Sequence, residues 1–182
     1  MNPLSVRGRT VSWLLVCLTL GCGSTDPDDS GFTMAALVNG ASWSPGGDGT
    51  TPPTATLYTG DNTLVLNGTQ SGVSPKTQGI SIAARNVVGP GTYVLADTGS
   101  AGGSALYSKS DGSIFNGDWT MTFYWTSSTQ TGSLVVTELD LAGRTISGTF
   151  NFKAANPLSG VVSVTSGTFS GRLATTSGSA SH

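Results

Sequence analysis

Along residues 145–154 apolar and polar side chains alternate without a break, with Ile146, Gly148, Phe150, Phe152 and Ala154 set against Thr145, Ser147, Thr149, Asn151 and Lys153. A period of two predicts a long strand with one face in a core and the other in water. The four residues Ser147-Gly148-Thr149-Phe150 recur as Ser166-Gly167-Thr168-Phe169. This predicts two neighbouring strands, each with a glycine at a bulge or bend. The same alternation marks strands at 32–38, 63–70, 78–85 and 119–126, and further apolar runs mark others at 41–43, 55–58, 92–96, 105–108, 134–141 and 161–173. Asn39-Gly40 is a strong signal for a two-residue hairpin turn. No window carries apolar residues at helical spacing over three turns. The prediction is an all-β domain, an antiparallel β-sandwich of about nine to ten strands, with a closed lipocalin-like barrel as the alternative.

Composition narrows the chemistry. Charged residues make up 10% of the chain, against about 25% in an ordinary soluble protein, so Ser, Thr, Asn and Gly must supply most of the surface. Past residue 22 six bases face ten acids. With no basic stripe to neutralise phosphates, nucleic acid is not an expected partner. Both cysteines, Cys17 and Cys22, lie near the N-terminus, so the rest of the chain can form no disulfide, thiolate metal site or cysteine nucleophile.

The N-terminus reads as an export signal: Arg7 and Arg9 precede the apolar run 11–20, which is about half the length a membrane-spanning helix needs. Thr19-Leu20-Gly21-Cys22 resembles the lipobox of bacterial lipoproteins, in which the cysteine is acylated and becomes the first mature residue. A plain secretory signal with Cys22 at its boundary is the alternative. Residues 23–30, with Asp26, Pro27, Asp28 and Asp29, have the composition of a flexible acidic tether. The expected layout is a lipoprotein signal at 1–21, the tether at 22–30, one all-β domain at 31–174 and a flexible tail at 175–182. Gly23 after the cysteine resembles lipoproteins sent to an outer membrane, with the domain in the periplasm or on the cell surface. Together with Val38-Asn39-Gly40-Ala41-Ser42-Trp43, Gly91-Thr92-Tyr93 and the two Ser-Gly-Thr-Phe runs, this layout resembles a family of uncharacterised bacterial lipoproteins. The resemblance implies an envelope location and an all-β fold, and it implies no catalytic residue.

The catalytic inventory is thin. The only histidine is His182, the last residue, which removes a Ser-His-Asp triad and a histidine metal cluster from consideration. Glu138 and Asp140 stand at i and i+2 of one predicted strand, about 7 Å apart by strand rise, so a glycan hydrolase using that pair is one alternative. Asp140 also reads as the start of a hairpin turn. Residues 111–118 offer oxygen ligands between glycines, but a turn stabilised by its own Asp and Asn side chains explains them more simply. No metal and no cofactor is expected. Aromatic side chains carry the best functional signal, because flat rings on a sheet can stack on sugar rings. Of the aromatics, Trp43 and Tyr124 are expected to be exposed and to bind, while Trp119, Phe123 and Trp125 are expected mainly in the core. The reading is a non-catalytic envelope domain that is anchored to the membrane through Cys22 and binds a polysaccharide or an envelope protein. A carrier of a hydrophobic ligand inside a barrel is the remaining alternative.

Overall fold

A computed structural model describes residues 31–47, 50–72, 77–96, 102–111 and 120–180. Among them are twelve β-strands and no helix. In chain order they are β1 (Phe32–Val38), β2 (Ala41–Trp43), β3 (Thr54–Tyr58), β4 (Thr63–Ser71), β5 (Thr77–Ala84) and β6 (Gly91–Leu95), followed by β7 (Ser104–Asp111), β8 (Thr120–Trp125), β9 (Gly132–Asp140), β10 (Thr145–Asn156), β11 (Gly160–Arg172) and β12 (Ala174–Thr176). The protein is all-β, as its alternation predicts.

All strands belong to one open sheet in the order β12-β3-β4-β5-β7-β8-β10-β11-β1-β2, with β9 and β6 branching off. The sheet does not close, which excludes the barrel and with it a ligand carried in a barrel lumen. Neighbours are antiparallel except β12, which runs parallel to β3 through Ala174↔Thr56 to Thr176↔Tyr58. The sheet is therefore mixed, and the chain reaches twelve strands rather than nine or ten. Part of the difference lies at the boundary between the predicted domain and tail: residues 174–176 form an edge strand, and the Thr59 amide donates to the Thr176 carbonyl at 2.8 Å.

Strand β10 is the branch point. One edge pairs with β11, while the other pairs with β9 over residues 145–152 and then with β8 at Ala155↔Trp125. Two limbs result, β6-β9-β10-β11-β1-β2 and β8-β7-β5-β4-β3-β12, and they fold face to face. A Cβ on Gly68 of β4 would lie 2.9 Å from Trp43 Cη2 and 3.4 Å from Met34 Sδ, both on the other limb. The buried side chains of both limbs form one core.

Local rules explain the register. The β1–β2 turn runs through Asn39 (φ 49°) and Gly40 (φ 83°), the two left-handed residues that match a tight turn to strand twist. It pairs Val38 with Ala41 and Ala36 with Trp43. The two Ser-Gly-Thr-Phe copies pair with each other, Gly148 opposite Phe169 and Phe150 opposite Gly167. Each glycine makes room for the other copy's ring. A bulge at the second copy shifts the register of β11 against both β1 and β10, and Ser166 there takes φ 51°.

Candidate functional site

At one end of the sandwich the limbs part and polar side chains take over the inner face. Strand β5 alternates Ile80, Ile82 and Ala84 inward, and its pairing carries that face onto β7 and β8 through Ile80↔Tyr107 and Tyr107↔Tyr124. One step further toward the open end comes the row Gln70↔Gln78↔Lys109↔Thr122. Facing it are Val38, Asn39 and Ala41 of the β1–β2 hairpin and Ser159, Val161 and Val162 after β10. Between the two walls lies a cleft of ≈ 370 Å³ whose lining includes Gln78, Tyr107, Lys109 and Tyr124. That size falls within the range of about 300–1,000 Å³ typical of small-ligand pockets.

Tyr107 and Tyr124 form the floor, their ring centroids 5.7 Å apart and their planes tilted by 47°. The Tyr107 hydroxyl donates to Gln78 Oε1 at 2.8 Å, and Gln78 Nε2 donates to Gln70 Oε1 at 3.3 Å. The relay runs one way, so the Gln70 amide group at its outer end presents N–H donors. Lys109 Nζ stands 3.6 Å from Asp111 Oδ2. Burial pushes the Tyr107 phenol up to about 12, and the neighbouring Tyr124 and Asp111 add to the shift. Tyr107 therefore stays protonated and remains a donor at any physiological pH. Tyr107 and Tyr124 are each only 3% exposed, so the cleft offers a ligand mainly amide donors and one ammonium, a set that suits a neutral, hydroxyl-rich ligand.

The residues singled out from sequence divide sharply. Tyr124 lines the cleft but is only 3% exposed, and Trp43 is 2% exposed, wedged between the limbs with Nε1 lacking a hydrogen-bond partner among the described residues. Neither is the exposed ring expected of it. The inversion comes from β8, where both faces carry bulky residues: Tyr124 and Thr126 turn inward, while Met121, Phe123 and Trp125 turn out, Trp125 being 52% exposed. Cys22, Trp119, residues 112–118 and His182 lie outside the described residues. Glu138 and Asp140 are both exposed. Ser147 Oγ reaches Glu138 Oε2 at 3.5 Å, whereas Asp140 Oδ1 accepts from the amides of Ala142 (3.0 Å) and Gly143 (2.8 Å) and closes the β9–β10 turn. Gln78, Tyr107 and Lys109 were not singled out as binding residues. Only the pairing of β7 with β5, across the intervening β6, reveals them.

A second cavity of ≈ 300 Å³ opens at the opposite end, beside Arg144, Arg172 and Pro53. There Gly31, the first described residue, accepts a hydrogen bond from the Arg172 amide at 3.1 Å. Strand β11 runs from this end to the cleft, twelve residue steps from Arg172 to Gly160, or about 40 Å at strand rise.

Fold and cleft together define an open, two-limbed all-β domain with a polar, aromatic-floored mouth at one end. The chain belongs to the family of the domain of unknown function DUF6252, whose sequence profile matches residues 49–171, from just before β3 to the penultimate residue of β11. No curated protein and no solved structure shows significant similarity to the chain.

Proposed function

We propose that this protein is a carbohydrate-binding domain of the bacterial cell envelope, anchored through acylated Cys22 and acting without catalysis. The observation that carries the reading is the cleft in which the rings of Tyr107 and Tyr124 lie beneath Gln78 and Lys109. Amide and ammonium protons of Gln78 and Lys109 meet the hydroxyl oxygens of a sugar, while the buried rings of Tyr107 and Tyr124 back the cleft and hold Gln78 in place through the Tyr107 hydroxyl. The position of the cleft supports the same reading. A tether at residues 22–30 enters at Gly31, so the cleft would face away from the membrane at the far end of the sandwich.

The test is binding of the domain, residues 31–182, to a panel of envelope and extracellular polysaccharides by affinity electrophoresis and calorimetry. Gln78→Ala and Lys109→Ala are expected to weaken binding about five- to thirtyfold each, the loss of one or two hydrogen bonds, one of them charge-assisted. Lys109→Ala should change the melting temperature little, whereas Gln78→Ala also strips the buried Tyr107 hydroxyl of its acceptor and should cost about 1–3 kcal/mol of stability. Absence of binding across the panel, or binding that both variants leave untouched, would reject the reading. Anchoring is tested separately: a fatty-acid analogue is expected to label the full-length chain and to fail on Cys22→Ser, which should also leave the membrane fraction.

A further inference from the structure

The outer surface beside the cleft carries the largest group of exposed apolar side chains among the described residues. Met121, Phe123, Trp125, Leu158 and Val161 are all exposed, Leu158 at 97%. Their arrangement follows from pairing. Leu106, Trp125, Ala155 and Val161 form one lateral row across β7, β8, β10 and β11, and directly paired residues point to the same face of a sheet. Phe123 sits two residues from Trp125 on that face, about 7 Å along the strand. Its neighbour across β7 is Ser108, followed by Gly79 and Thr69 on β5 and β4. An apolar strip thus lies beside a polar row, and the bare Gly79 leaves a dent lined by Asn67, Thr69, Ser81 and Ser108.

Val161 belongs to both features, because it also lines the cleft. Only the width of β8 separates the cleft floor at Tyr124 from the outer face at Trp125. Past Trp125 the neighbour of β8 on that side is no longer a long strand but the β10–β11 turn, whose Asn156 Nδ2 donates to the Phe123 carbonyl at 2.9 Å. A ligand leaving the cleft on this side would meet Val161, which lines it, and then the exposed rings of Trp125 and Phe123.

We infer that the ligand is a linear polysaccharide bound along its length, with a short stretch in the cleft and the continuing chain laid over the rim onto Trp125 and Phe123. This rests on the carbohydrate reading of the cleft. It adds that the class is an extended chain rather than a free mono- or disaccharide, and that the outer rings are a second subsite. A cleft of ≈ 370 Å³ holds only a few sugar rings, and the exposed apolar row supplies stacking surface where the chain must emerge.

The experiment is calorimetry with a ladder of oligosaccharides cut from whichever polysaccharide the panel identifies. Affinity is expected to rise with length and then level off once the chain reaches the outer face. Trp125→Ala should remove about three- to tenfold of the gain shown by long oligomers, the scale of one stacked ring, and leave short oligomers unchanged. Phe123→Ala serves as the second variant, and both side chains point to solvent, so melting temperatures should stay near that of the parent. If oligomers of every length bind equally, or if Trp125→Ala weakens short and long ones alike, the second subsite is wrong while the cleft reading stands. If no oligomer binds the parent domain, the cleft reading itself fails.

Discussion

Trp43→Ala is expected to cost about 3–5 kcal/mol of folding stability, lowering the melting temperature by on the order of 10 °C for a domain of this size. The indole is 2% exposed and is the wedge between the two limbs. The Cβ of a residue at 68 would come within 2.9 Å of its Cη2 and 2.6 Å of Pro45 Cγ, so the chain keeps Gly68 there. Truncation would leave a cavity lined from both limbs, which a three-residue strand such as β2 cannot refill by shifting. Trp43→Phe is the informative companion. It keeps most of the ring and removes the buried Nε1 donor that has no partner among the described residues, an unmet donor being itself unfavourable. It should therefore cost clearly less than alanine. Thermal and urea melts of both variants decide the matter. A Trp43→Ala domain that melts with the parent, or that loses polysaccharide binding while keeping its stability, would restore Trp43 as a surface ligand contact.

That burial was already legible in the residues. Asn39-Gly40 fixes a two-residue turn, which pairs Val38 with Ala41 and Ala36 with Trp43. Since Phe32, Met34, Ala36 and Val38 are the buried side of β1, Trp43 must share the core face. Tyr124 is a different case. Strand β8 has large side chains on both faces, so periodicity cannot say which face is inside. The clean Ile80, Ile82 and Ala84 alternation of β5 settles it, but only through β7, a neighbour that lies beyond β6 in the chain. Long-range pairing of that kind leaves no mark in local pattern. The parallel strand β12 was illegible for a related reason: Ala174, Thr175 and Thr176 are exposed and bury no apolar stripe, so backbone bonding to β3 makes the strand.

The repeated Ser-Gly-Thr-Phe motif yields the second large effect. Because Gly148 lies opposite Phe169 and Gly167 opposite Phe150, each ring folds over the bare backbone of the facing glycine. An added Cβ at 148 would stand 2.6 Å from Phe169 Cζ and would press on the Val135 carbonyl oxygen. At 167 it would stand 2.5 Å from Phe150 Cδ2 and as close to the Phe150 carbonyl oxygen. Backbone atoms on β9 and β10 cannot swing aside as a flexible side chain could. Gly148→Ala and Gly167→Ala are each expected to cost about 1–3 kcal/mol through overpacking, and the two valine variants more. The double alanine variant should cost less than the sum of its parts, since the two sites share the β10–β11 ladder and relieving one strain by opening the strands relieves the other. Gly89→Ala is the control, having no neighbour within 4 Å of an added Cβ, and should change stability by less than about 0.5 kcal/mol. If Gly148→Ala and Gly167→Ala melt with this control, the two motif copies do not pack reciprocally, and their recurrence would reflect only two strands that bend alike.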